Sequence, residues 1–227
     1  MPLTLFLSAA SFLLVMAATP AGASVRASSS APAQEALVQF EAVTLLPAEQ
    51  AELHKGRIVP REVPTPGLKG RTFEAVGMIT GTLDEVIGIL TDYRRYHEFM
   101  PRVERTVVTD ESDAVSLVEQ HLKLPLGVRK RYRLRYTLRR GLEGFRIDWV
   151  KVAWPEVPLS QSVVDTSGHW QVTTFGEGRL LAVYRVYTDP GRVPLGMKGL
   201  ALSLSKHEIP KVIERVRQRL RSLAAPR

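Results

Sequence analysis

Over residues 129–138 the chain alternates. Arg129, Arg131, Arg133 and Arg135 are basic, while Tyr132, Leu134, Tyr136 and Leu138 between them are aromatic or aliphatic. Successive side chains of an extended chain point to opposite faces, so this segment reads as a strand with one guanidinium face and one apolar face, half-buried in an antiparallel sheet. Its neighbours at 103–109, 114–124, 145–152, 169–175 and 180–188 are equally short and alternating. The turn residues at 110–113, 125–127, 140–144 and 176–178 leave room for hairpins but not for parallel crossovers. Upstream, 71–80 reads as a further strand, and Thr82-Leu83-Asp84-Glu85 forms a capping box that opens a helix with Val86, Ile87 and Leu90 on its apolar face. A second short helix over 92–100 stops at Pro101. The last pattern is helical: Ile209, Val212, Ile213, Val216, Leu220 and Leu223 recur at three- and four-residue steps within 197–223, with Pro210 expected to kink or restart the helix. The apolar face of the sheet needs a cover, and this helix is the only element long enough to supply it, which makes the fold class α+β.

The chain has 227 residues, and its 31 Lys plus Arg against 23 Asp plus Glu give a net charge of +8. With 44% hydrophobic residues it is a folded chain of about one domain. Having no cysteine, it lacks any disulfide framework, thiolate metal site, cysteine nucleophile or lipidated cysteine. Residues 3–18 are apolar and uncharged, and Ala21-x-Ala23 follows as a small-residue cleavage pattern. At about 1.5 Å per residue this run falls short of a ~30 Å hydrocarbon core. Residues 1–23 are therefore expected to be a secretory signal peptide cleaved after Ala23, the alternative being retention as an anchor, and the protein to be exported to the periplasm or another extracytoplasmic space. Residues 24–70 are expected to be a flexible tether and N-terminal arm, with one short helix near 47–53, and the compact domain to span 71–223.

The stretch Leu90-Thr91-Asp92-Tyr93-Arg94-Arg95-Tyr96-His97-Glu98-Phe99-Met100-Pro101 resembles a helix motif of the START-like helix-grip superfamily, the group of the coenzyme Q-binding proteins and the polyketide cyclase/dehydrases. Gly168-His169-Trp170 and Asp189-Pro190-Gly191 with Pro194 support the resemblance. It implies a curved antiparallel sheet gripping a long C-terminal helix, with a hydrophobic tunnel between them for a lipid or other apolar ligand. A curved sheet on one helix leaves a concave, mostly apolar space on physical grounds as well. The expected liners are Tyr132, Leu134 and Tyr136, then Trp149 and Trp170 from neighbouring strands, and Leu200, Leu204 and His207 from the helix; ordinary core packing is the competing account of each.

Arg185 shares strand parity with Leu181, Val183 and Tyr187. A guanidinium there needs either an internal carboxylate or a polar group of the ligand, and it joins the expected ligand-binding set. His121, His169 and His207 are candidates to converge, but no His pair has metal-ligand spacing, so no metal site is expected. No nucleophile elbow, phosphate loop or dinucleotide fingerprint is present, and neither a catalytic residue nor a cofactor is expected.

Two segments carry the excess charge: 129–140 contributes +7 and 206–227 contributes +5. Such localised charge suits transient docking on an anionic membrane through Arg129, Arg131, Arg133, Arg135 and the basic face of the last helix. Nucleic acid is not expected as a partner, because the basic stretches lack an aromatic stacking platform on the same face. The leading expectation is a binding or transfer module for an apolar small molecule. The alternative is a cyclase/aromatase-type enzyme acting on a carbonyl-bearing apolar substrate, which requires ionisable groups converging inside the tunnel.

Overall fold

The computed structural model describes residues 40–124, 127–191 and 198–225, with side-chain surroundings given outside 198–206. The expected signal peptide and most of the tether thus lie outside the described residues. Eight strands, β1 (Val59–Val63), β2 (Arg71–Thr80), β3 (Val103–Glu111), β4 (Val115–Lys123), β5 (Arg129–Gly141), β6 (Gly144–Val152), β7 (Asp165–Thr174) and β8 (Arg179–Asp189), form one antiparallel curved sheet. Their order is β1-β2-β8-β7-β6-β5-β4-β3. Among the described residues four α-helices accompany them: α1 (Pro47–His54), α2 (Leu83–Thr91), α3 (Tyr96–Phe99) and α4 (Lys198–Ala224).

Local chemistry fixes the element ends. The Thr82 hydroxyl accepts from the Glu85 amide at 3.2 Å, and the Glu85 carboxylate accepts from the Thr82 amide at 2.7 Å, closing the capping box of α2. The 92–100 helix of the sequence reading is a 3-10 turn at Tyr93–Arg95 followed by the single turn of α3. Helix α4 runs through Pro210 and buries Ile209, Val212, Ile213 and Val216 against the sheet. It packs against β2, where small residues make room. A Cβ added at Gly77 would stand 3.1 Å from Ile213 and 3.2 Å from Ile58. The inner face and α2 to α4 share one core around Phe73, Ala75, Val118, Phe145, Ile147 and Val172.

The compact unit takes in the arm as well, so it starts well before residue 71. Val59–Val63, within the expected flexible tether and N-terminal arm, is an edge strand, paired with β2 in the register Val59 to Val76 and Val63 to Thr72. Pro60 is tolerated because an edge strand leaves one side of its backbone without a ladder partner. The preceding residues cover the outer face of the sheet, where Val43, Leu45, Leu53 and Val59 pack on Val76, Leu181 and Val183.

Candidate ligand site

The inner face carries a continuous wall of rings. Tyr132, Leu134 and Tyr136 come from β5, Trp149 from β6, Trp170 from β7 and Tyr184 from β8; all belong to or pack on the inner core. Tyr184 stacks on Trp149 with centroids 5.4 Å apart and planes 26° apart, and lies 4.8 Å from Trp170. Tyr136 bridges from Trp149, at 6.0 Å, to Tyr93, at 4.4 Å. Tyr93 meets Tyr96 edge-on at 5.4 Å, and Tyr96 meets Phe99 at 5.6 Å. Gly168 makes this wall geometrically feasible: a Cβ there would stand 2.5 Å from the Trp149 ring, so the indole lies across β7 only because that side chain is absent.

Of the expected liners, the structure brings Tyr132, Leu134, Tyr136, Trp149 and Trp170 onto this face. His207 is exposed on α4, and the side chains of Leu200 and Leu204 lie outside the described residues. Tyr184 and Gln120 were not singled out from sequence, and Tyr93 and Tyr96 entered only as part of the 90–101 motif, not as liners. Parity with Ala182 and Val186 was the available signal for Tyr184, and three-residue helical spacing was the signal for Tyr93 and Tyr96.

The polar atoms of the wall are neutral. Gln120 Nε2 donates to Tyr136 Oη at 2.8 Å, and Tyr96 Oη donates to the Leu90 carbonyl at 2.5 Å. Burial pushes the phenol groups of Tyr93, Tyr96, Tyr132, Tyr136 and Tyr184 above their ordinary range, so they stay protonated.

Arg185, expected beside the ligand, sits on the outer face instead. It is the fourth member of a cross-strand row, Thr137, Asp148, His169, Arg185, Glu74 and Arg61, running over β5, β6, β7, β8, β2 and β1. Its Nε donates to Glu74 at 2.7 Å, and Glu74, nearly fully buried, also meets Arg61 at 3.4 Å. Of the two partners open to Arg185 from sequence, the internal carboxylate is the one in place. Glu41 closes the row from outside, within 3.0 Å of Arg146 and 3.4 Å of Arg185, while the Gln171 amide pairs with both the main-chain N–H and C=O of Glu41.

The three histidines considered do not converge. His169 accepts from Arg146 at 2.9 Å on the outer face, and desolvation, reinforced by Arg146 and Arg185, lowers its pKa to about 4. His121 lies half-buried, edge-on to Trp154 at 6.2 Å. Trp154 also sits 5.7 Å from the Arg131 guanidinium and 4.9 Å from that of Arg133. The basic face of β5, expected to hold no aromatic residue, therefore carries one, delivered by the chain after β6.

Many of the basic residues are paired. Arg129 meets Glu104, Arg133 meets Glu119, Lys211 meets Glu208, Arg219 meets Glu98 and Arg221 meets Glu214. Arg217 is not a solvent-facing charge at all, donating to the carbonyls of Met78 at 2.7 Å and Gly56 at 3.0 Å.

No protein-family model and no curated protein matches the sequence. Solved structures do match in fold. The STAR-related lipid transfer protein of Xanthomonas axonopodis aligns with a TM-score of 0.63 at 17% identity, over 72% of this chain and 93% of that one. Human StAR-related lipid transfer protein 5 aligns at 0.64 and 12%, over 74% and 84%. The Zhui aromatase/cyclase of Streptomyces sp. R1128 aligns at 0.52 and 17%, over 69% and 99%. With its antiparallel sheet closed on one C-terminal helix, the chain has the START-like helix-grip fold.

Proposed function

We propose that this protein binds an apolar small molecule or lipid between the inner face of the sheet and α4, and serves its transfer or sequestration in the cell envelope. The ring wall running from Phe99 through Tyr136 and Trp149 to Trp170 is the observation that carries the reading. It offers a large, rigid apolar surface with a few neutral polar atoms, the usual make-up of a small-molecule site. The lipid transfer proteins that share the fold support the same reading. The apolar run at 3–18 and the Ala21-x-Ala23 pattern support export, with a mature chain beginning at Ser24.

A cyclase-type enzyme on this fold is supported by the likeness to an aromatase/cyclase. That reading requires ionisable groups converging inside the tunnel, for which Arg185 and a histidine or tyrosine are the candidates. Arg185 and His169 are committed to the outer face, and the inner tyrosines are held protonated, which leaves binding as the better-supported function.

The test is native mass spectrometry with organic extraction of protein purified from its envelope fraction without detergent. A stoichiometric apolar adduct is expected. Absence of any adduct, together with no saturable uptake from a lipid extract, overturns the reading.

A further inference from the structure

We infer that the ligand is an uncharged, ring-bearing molecule whose carbonyl or hydroxyl oxygen is held by a cluster of tyrosine hydroxyls on the inner face. This rests on the binding reading above and adds the chemical class. The chain has six tyrosines, and five of them, Tyr93, Tyr96, Tyr132, Tyr136 and Tyr184, come together there. The Tyr93 ring lies 4.4 Å from that of Tyr136 and 5.4 Å from that of Tyr96, and Tyr184 joins them through Trp149. Phenylalanine would supply the same packing, so the hydroxyls need an account of their own.

Two of the five have partners: Tyr96 donates to the Leu90 carbonyl, and Tyr136 accepts from Gln120. No hydrogen bond joins the hydroxyl of Tyr93, Tyr132 or Tyr184 to another described residue, and Tyr132 and Tyr184 are only half-buried. Interior hydroxyls are normally paired, and leaving one unpaired is costly. Three unused donors on one face of the sheet match a ligand that brings an acceptor. Because the phenols stay protonated, they complement an oxygen acceptor rather than a cation.

The ligand's charge follows from the same face. Apart from tyrosine, the buried ionisable residues among those described are Glu74 and His169, and both lie on the outer face with Arg185 and Arg146. A carboxylate or phosphate drawn onto the inner face would meet no cation among these residues, and burying an unpaired charge is prohibitive. Trp149 and Tyr184, stacked, with Trp170 tilted beside them, favour flat rings over branched chains.

The experiment uses delipidated full-length mature protein and three probes on one ring system: 1-acetylnaphthalene, 1-ethylnaphthalene and 1-naphthoate, measured by equilibrium dialysis. Tyr132→Phe and Tyr184→Phe are each expected to weaken the ketone about 5- to 10-fold, the worth of one neutral hydrogen bond. The same variants leave the hydrocarbon within about 2-fold, and the ligand-free Tm is unchanged or raised, because each removes an unsatisfied hydroxyl. The anion binds more weakly than both. A loss shared equally by ketone and hydrocarbon, a ketone insensitive to both substitutions, or a fall in ligand-free Tm that tracks the loss of affinity overturns the inference while the binding reading stands. If none of the three probes binds, the inference falls, and the binding reading is decided by the adduct and uptake measurements above.

Discussion

His169 shows how much one side chain is constrained by its surroundings. It is buried beneath the arm, accepts from one guanidinium and faces a second, with Glu41 and Asp148 as the nearby counter-charges. Its pKa of about 4, against 6.5 when exposed, means that between those values the unfolded chain takes up a proton that the folded protein refuses. Stability contributed by neutral His169 is therefore complete above about pH 6.5 and is lost as pH falls towards 4, by about 3 kcal/mol in all. In His169→Gln, whose amide oxygen still accepts from Arg146, urea midpoints at pH 7, 5.5 and 4.5 should lie closer together than in the wild type. Equal spacing would show that His169 is accessible to protons in the native state. Arg185 beside it illustrates the limit of sequence reading at this scale. Its parity with Leu181 and Val183 was legible, but β8 is apolar on both faces, with Leu180 and Ala182 inside and Leu181 and Val183 outside. Parity groups residues without saying which group faces the ligand.

At the scale of elements, the alternation in β5, the capping box of α2 and the stripe of α4 were legible because each is a local period that burial on one side imposes. Strand β1 was not. A five-residue edge strand containing a proline has too little pattern to stand out, and it is held by a partner that lies next to it only after folding. The polar half of the site was hidden for a related reason: Gln120 meets Tyr136, and Tyr93 meets Tyr136, across sheet and helix. The contact between β6 and β7 yields a sharp prediction. Gly168→Ala places a Cβ 2.2 Å from the Arg185 carbonyl and 2.5 Å from the Trp149 ring. The Trp149 indole must then lift, with an expected loss of about 2–4 kcal/mol in chemical denaturation and a shifted tryptophan emission. A variant with wild-type stability and emission would mean that the ring does not lie where the wall requires it.

For the whole molecule, a net charge of +8 overstates the cationic surface available to a partner. Pairing removes Arg129, Arg133 and much of α4 from the account, while Lys123 and Arg135 stay exposed on β4 and β5 and form no ion pair within 4 Å among the described residues. Sedimentation with vesicles containing phosphatidylglycerol should show binding that weakens steeply from 50 to 300 mM salt, and Lys123→Glu with Arg135→Glu should weaken it about 10-fold or more, at roughly 1 kcal/mol per charge near the surface. Equal binding to pure phosphatidylcholine vesicles would argue against electrostatic docking.

The strand order also sets a timetable. Strand β2 forms its longest ladder with β8, pairing Arg71 with Thr188 and Thr80 with Arg179. The partners lie 99 to 117 positions apart in the chain, so the strand that α4 packs upon waits, paired only with β1, until the last strand has been made. During that interval the edge of β2 that will meet β8 is open to other chains, and sheet closure becomes a late, slow event that depends on β8 being present. A polypeptide of this topology stays unfinished while it is being made or moved, and acquires its interior only when its two ends meet.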